Sequence, residues 1–200
     1  MVGNNPIAIA IPTAGDGPPA LVDMATSASA MGKIRMADSA GKSIPAGWAT
    51  DADGRPTTDP GAAIKGMLLP AGGAKGFGLA FMIDLLCGGL ADGGIGASVA
   101  PLYGDPSVPY NCAHLFVAID VDHFRDPVEA ATAARNAVER VRASKPAPGV
   151  DRVMSPGEPA WRAKRQNAGR CTLNAAVWAE LSSLSIELGV TAPEPVEATN

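Results

Sequence analysis

The sequence predicts an α/β protein, and three observations lead there. Short β-branched runs alternate along the chain with segments whose apolar residues fall at helical spacing, the signature of a layered strand-and-helix architecture. Between them, 23 glycines and 18 prolines signal many turns. Two hundred residues with 46% apolar content are enough for one domain with a real hydrophobic core.

Taken in order, Ile7–Ile11 is a β-branched run closed by Pro12 and the turn cluster Gly15-Asp16-Gly17-Pro18-Pro19. Residues 20–22 read as a second short strand ending at Asp23. Ser27 is placed to cap a helix that runs to about Ala40, where Gly41 stops it. Residues 41–62, rich in Gly, Pro, Asp and Thr, read as one long polar loop, a length usually kept for function or for covering a ligand. A mostly apolar helix begins near Gly76 and ends around Gly88-Gly89; apolar nearly all round, it is expected to be buried on most faces. Residues 91–111 look irregular, and residues 115–121 read as a good strand, consistent with a central position. Asp126-Pro127-Val128-Glu129 opens a helix with a cap, a first-turn proline and a glutamate at the third helical position. Its apolar face is expected at Val128, Ala131, Ala134, Val138 and Val141. A short strand near Val153 leads through Ser155-Pro156-Gly157-Glu158-Pro159 into another helix. Asn174 then caps a last one, lined by Val177, Leu181, Leu184 and Leu188. The tail from Thr191 lacks periodicity and is expected to be disordered.

Composition excludes several functions. A net charge of -4 disfavours a nucleic-acid partner, and a small anionic substrate would need a local positive site. The longest apolar run, residues 79–87, is too short to cross a bilayer. No charged leader precedes an apolar core at the N-terminus, so a cytoplasmic protein is expected. Cys87, Cys112 and Cys171 are too widely spaced for a zinc site or a disulfide framework and read as thiols in a reducing compartment. Asp51-Ala52-Asp53-Gly54 begins like a calcium loop but lacks the later glutamate, and reads as a hairpin turn. No metal site is expected.

Two stretches carry the most chemistry. Asp23-Met24-Ala25-Thr26-Ser27 puts a carboxylate and two hydroxyls where a strand stops. Gly72-Gly73-Ala74-Lys75-Gly76-Phe77-Gly78-Leu79 puts one ammonium group in a glycine loop at the positive end of a helix dipole. Together they suit an anionic, hydroxyl-rich ligand such as a nicotinamide nucleotide. Each has a plainer reading: Lys75 as an exposed turn lysine, Asp23 as the start of a turn with Met24 in the core. Gly157-Glu158-Pro159 could face an anion with its backbone amides or simply start a helix. Thr57, Thr58 and Asp59 either cap and lock the long loop or touch substrate, and Lys33 is as suited to a helix surface as to a ligand.

The order D-M-A-T-S, then A-x-G-K-I (Ala30 to Ile34), P-T-T-D-P (Pro56 to Pro60) and G-G-x-K-G-x-G-L-A resembles the malate/L-lactate dehydrogenase family, which lacks a Rossmann fold. The resemblance covers almost all of this chain but only the later portion of the family's length. It implies a layered α/β/α fold with a mixed sheet, and NAD or NADP as cofactor. It places nucleotide contacts at Asp23, Met24, Ala25, Lys75, Gly157, Glu158 and Pro159. It also implies a small 2-oxo or 2-hydroxy acid substrate such as malate or lactate, and a homodimer. Residues 1–190 would be the NAD(P)-binding and C-terminal part of the enzyme, with 191–200 a tail. The family's acid–base histidine and substrate-binding arginine match nothing here. His114 and His123 flank an apolar strand, as edge packing would place them, so no catalytic residue is assigned and the chain alone is expected to be inactive. The alternative is a non-catalytic nucleotide-binding protein, or a partner subunit completed by a separate N-terminal half.

Overall fold

The first hairpin forms where the β-branched pattern puts it. In a computed structural model that describes residues 3–102, 104–167 and 169–195, β1 (Ile7–Ile11) pairs antiparallel with β2 (Ala20–Met24), Ile7 opposite Met24 and Ile11 opposite Ala20. The chain divides into two compact units, Met1–Glu158 and Pro159–Asn200.

Helix α1 (Met31–Ser39) starts later than the sequence predicts, because Ser27 does not cap it: its hydroxyl donates instead to the Ser29 carbonyl at 2.9 Å. Residues 41–62 are not one loop. They hold β3 (Ala49–Thr50), β4 (Pro56–Thr57) and the start of α2 (Pro60–Lys65), and β5 (Met67–Leu68) completes an antiparallel sheet in the order β4-β3-β5. This stretch supplies half of the buried cluster of Ile34, Ile44, Ala49 and Ala63. Its polar composition hides Ile44 and Ala49, whose burial is decided by α1 and α2 rather than by local pattern. The Asp51 turn joins β3 to β4 as a hairpin, with Gly54 N–H donating to the Asp51 carbonyl at 3.1 Å. Asp59 caps α2, accepting from the Gly61 and Ala62 amides at 2.7 and 3.3 Å, so the Thr57–Asp59 signature locks its loop.

Helix α3 (Ala74–Ala91) is longer than the apolar run that announces it. Its 18 residues are long and apolar enough, by length and composition, to cross a membrane. It is not buried on most faces: only Ala80, Asp84 and Gly88 are, one stripe at a spacing of four. Asp84 accepts from the Gly96 amide at 2.8 Å, and Asn5 Nδ2 donates to the Ala80 carbonyl at 2.9 Å. The strand expected at residues 115–121 does not form, and neither does the one near Val153. All strand pairs among the described residues are antiparallel. A mixed sheet therefore does not form here, because the segment that would extend it has no neighbour to pair with.

Helix α4 (Pro127–Arg142) is capped as its sequence demands, Asp126 accepting from the Val128 and Glu129 amides at 2.8 and 2.9 Å. It packs on the β1–β2 turn through Arg135, whose Nε donates to the Ala14 carbonyl at 2.7 Å. Its apolar face is only half covered, and Val128 is 72% exposed. Helix α5 (Glu158–Asn167) follows the Gly157 turn. In the second unit, Trp161 lies under the Arg165 guanidinium, 4.9 Å from the ring centroid. Helix α6 (Ala175–Leu188) is capped by Asn174 and stopped by Gly189 in the left-handed conformation. Its expected apolar face forms, but Val177, Leu181, Leu184 and Leu188 are all exposed. Of the tail from Thr191, residues 196–200 lie outside the described residues.

Candidate functional site

The strand end and the glycine loop, 45 or more residues apart in sequence, are hydrogen-bonded neighbours. Thr26 anchors the junction. Its amide and hydroxyl both donate to the Asn4 carbonyl, at 2.9 and 2.8 Å, and its carbonyl accepts from the Ala71 amide at 2.9 Å. Ala28 N–H donates to the Leu69 carbonyl at 2.7 Å, and Ser27 pairs with Pro70. Asp23 and Met24 are therefore exposed on the last two residues of β2, one step before the segment that carries the glycine loop.

The loop itself needs glycine. Gly72 and Gly73 have φ of 67° and 64°, a region closed to most side chains. At Gly76 a β-carbon would sit 1.8 Å from the Ala71 carbonyl oxygen, so only glycine lets the helix start this close to the loop. Gly73 has no side chain to cap α3, and no acidic residue occupies the first turn. The N–H groups of that turn are left for an acceptor from outside the helix. Lys75 is exposed within it.

A cavity of about 510 Å³ opens between Ala28, Gly47, the 69–74 loop and Phe77. Its volume falls in the range of small-molecule and cofactor sites. Phe77 lies 6.1 Å from Phe81, ring centroid to ring centroid, and presents a flat apolar face. The buried Ser29 hydroxyl, next in sequence to Ala28, has no hydrogen-bond partner among the described residues. Ala28, Gly47, Pro70 and Phe77 were not legible as site residues from the motifs. The third glycine of the loop, Gly76, was the available signal that backbone comes close here.

The third predicted stretch meets the other end of β2. Gly157, at φ 83°, packs on Leu21: a β-carbon there would lie 2.8 Å from Leu21 Cβ. Leu21 N–H donates to the Pro156 carbonyl at 3.3 Å. The Glu158 carboxylate points inward and is 2% exposed. It accepts from Arg142 Nε at 2.8 Å and from the Ser155 amide and hydroxyl at 3.1 and 3.2 Å. Glu158 in turn holds the Arg142 guanidinium above its ordinary pKa, chiefly through that hydrogen bond. Pro159 is exposed in the first turn of α5. The two histidines stand apart from these groups: His114 stacks on Phe116, and His123 faces Asp120 at 3.2 Å on the surface.

Residues 21–28 thus string the three stretches along one run of backbone, extended as far as Met24 and bent at Thr26 and Ala28. The chain is similar to the NADP(+)-dependent (2R)-3-sulfolactate dehydrogenase of Chromohalobacter salexigens, 44% identical over 126 residues, 63% of this chain and 38% of that protein. It is 48% identical over 121 residues to the Δ1-pyrroline-2-carboxylate/Δ1-piperideine-2-carboxylate reductase of Pseudomonas aeruginosa, covering 60% of this chain and 36% of that one. The L-sulfolactate dehydrogenase of Methanocaldococcus jannaschii is 34% identical over 199 residues, 98% of this chain and 56% of its own. The solved structure of the M. jannaschii sulfolactate dehydrogenase superposes with a TM-score of 0.79 at 34% identity, covering 94% of this chain and 53% of that one. The chain spans about half the length, or less, of these relatives. The malate/L-lactate dehydrogenase family model matches residues 1–182, and with the glycine loop, strand end and turn arranged as described, the chain belongs to that family.

Proposed function

We propose that this chain carries the nucleotide-holding part of an NAD(P)-dependent oxidoreductase that moves a hydride between the nicotinamide and a small 2-oxo or 2-hydroxy acid such as malate or lactate. One observation supports it above the others: Asp23 to Ala25, the Gly72–Lys75 loop and the Gly157 turn all attach to a single run of backbone, residues 21–28. The cavity and the uncapped helix start fit a phosphate-bearing, ring-containing ligand. Lys75 and the first-turn amides of α3 would hold phosphate, and Asp23 would take ribose hydroxyls. Met24, Ala25 and Gly157 would line the backbone. Glu158, spent on Arg142 and Ser155, fixes the Gly157 turn rather than meeting the ligand with its carboxylate. Pro159 would act through the helix start it stiffens. The cofactor, when bound, supplies the hydride.

In this reading the whole fold is layered α/β/α with a mixed sheet. It would not be of the Rossmann class, a reading that the antiparallel β1–β2 hairpin supports, since that class is built on parallel crossovers. The enzyme works in the cytoplasm as a homodimer, without a membrane or nucleic-acid partner. The proton at the substrate oxygen would come from a group outside this chain; His114 beside Phe116 and His123 beside Asp120 on the surface are not assigned that role. The chain alone then binds nucleotide without turnover.

A second substrate class has one specific support. The 48% identity to a reductase of Δ1-pyrroline-2-carboxylate favours a cyclic 2-imino acid, which differs from a 2-oxo acid in the atom that accepts the proton.

Titration of the purified chain with NADH and NADPH, followed by nucleotide fluorescence, tests the binding. Lys75→Gln is expected to weaken binding by about 10- to 100-fold, the loss of one charge-assisted contact. Absence of binding to either nucleotide by the unaltered chain, or an unchanged Kd in the variant, overturns the assignment.

A further inference from the structure

The molecule exposes more surface than a compact monomer of its mass, and many large apolar side chains lie on it. A folded monomer of 20.2 kDa exposes about 8,800 Å², or about 10,200 Å² if the two units are counted as separate globules. This chain exposes 14833 Å².

The clearest piece of that surface is the segment 114–119, which holds most of the run 115–121 that the sequence marks as a central strand. Leu115, Phe116, Val117 and Ile119 are 45%, 89%, 72% and 70% exposed. In an extended chain Leu115, Val117 and Ile119 point one way and Phe116 the other, so both faces are apolar. Such two-sided strands belong inside a sheet that is covered on both faces. Yet no backbone group of residues 114–119 is hydrogen-bonded to another among the described residues. The ends, by contrast, are tied down. The Tyr110 and Asn111 carbonyls accept from Ala100 and Gly94 at 3.1 and 2.9 Å, and Asp120 caps the short turn Val121–His123 at 3.1 Å. The segment is tethered on both sides with its edges open.

We propose that residues 114–119 are a strand that forms only when a second polypeptide segment adds strands beside it. The occupant is the part of the family fold that this chain does not span, whether it is carried on the same polypeptide or on another. Relatives that match 92% or more of this chain still carry close to half of their own length outside the match. A second copy of this chain does not fit as well. A twofold pairing of like segments fills one edge and leaves the other edge, and both apolar faces, bare. The exposed residues Leu79, Met82, Leu86 and Leu90 of α3 are a further face for the same cover. Strand addition of this kind takes its affinity from main-chain hydrogen bonds and its register from alternate side chains. The inference needs neither cofactor nor substrate, so it stands or falls apart from the nucleotide assignment.

Hydrogen–deuterium exchange of the full chain, alone and co-expressed with the part of M. jannaschii L-sulfolactate dehydrogenase that the match leaves uncovered, tests it. Amides 114–119 are expected to exchange at close to the unstructured rate in the chain alone and at least about tenfold more slowly in the complex. Val117→Pro removes a donor from the middle of the strand, so it is expected to weaken the complex by at least about tenfold. The melting of the free chain is expected not to change, because nothing there depends on that amide. Slow exchange at 114–119 in the chain alone, as a monomer or through self-association, overturns the proposal. So does unchanged exchange in the co-expressed sample, or a lowered melting temperature of the free Val117→Pro chain.

Discussion

Two glycines in the first turns of α3 are predicted to respond in opposite directions to the same substitution. At Gly78 a β-carbon meets nothing within 4 Å. Gly78→Ala therefore gains what alanine gains over glycine in a helix, about 0.5–1 kcal/mol, and raises Tm by about 1–4 °C in a chain of this size. At Gly76 the same gain is available, but the new β-carbon would lie 1.8 Å from the Ala71 carbonyl oxygen and 2.8 Å from its carbon. Backbone cannot rotate away as a side chain can, so the glycine loop or the helix start must move by roughly 1 Å or more. Overpacking of this kind costs about 1–3 kcal/mol, and because the clash is backbone on backbone the upper part of that range applies. It outweighs the helix gain, leaving a net loss of about 1–2 kcal/mol and a Tm lower by about 2–8 °C. Since the displaced loop is the one that borders the cavity, Gly76→Ala also weakens NADPH binding while Gly78→Ala leaves it unchanged. Thermal melts by far-UV circular dichroism, with nucleotide titrations on the same samples, read both. Equal stabilisation by the two substitutions would refute the close approach of Gly76 to Ala71, and with it the account of why the loop is glycine.

Arg142→Met removes one charge-assisted hydrogen bond from the Glu158 carboxylate, which is 2% exposed and keeps its bonds from Ser155, and is expected to cost about 1.5–3 kcal/mol in urea denaturation. Because Glu158 raises the Arg142 pKa above its ordinary value, the arginine's share is complete below that value and lost only as pH rises beyond it. The cost should then be the same at about pH 6 and about pH 9. Asp59→Ala removes two cap hydrogen bonds from α2 and should lower stability by about 1 kcal/mol, read as a shift of the urea midpoint without a change of slope.

What the sequence made legible was local. The strands β1 and β2 and the caps at Asp126 and Asn174 depend on residues within a few positions of one another, and each forms as its residue types require. The glycine loop and the strand end were recognisable as motifs, although their hydrogen-bonded contact through Thr26 and Ala71 was not. The misreadings share one physical origin. Whether 115–121 becomes a strand, or α3 and α6 become buried, depends on surfaces supplied by other segments. Pattern reports only that such a surface is wanted. Residues 41–62 erred the other way: local polarity suggested a loop, and two apolar residues, Ile44 and Ala49, were enough to draw it into the core.

The same reasoning bears on α3, an 18-residue helix apolar enough in composition to suit a bilayer as readily as a protein interior. Three contacts separate the two. Asp84 sits in the middle of the helix and receives the Gly96 amide, Asn5 donates to the Ala80 carbonyl, and a β-carbon at Gly88 would lie 2.6 Å from the Gly94 carbonyl oxygen. All three fall on the one buried stripe and fix the helix to polar backbone of its own unit. A bilayer would surround that stripe with hydrocarbon, and an aspartate at mid-helix costs about 2.5–3.5 kcal/mol there. Within a protein the stripe is already satisfied, and the exposed residues on the other faces, Leu79, Met82 and Leu86 among them, need only apolar cover. We therefore read α3 as a core helix whose cover is protein. That cover has to reach a helix whose first turn borders the nucleotide cavity, so the polypeptide that completes the fold would also close the site.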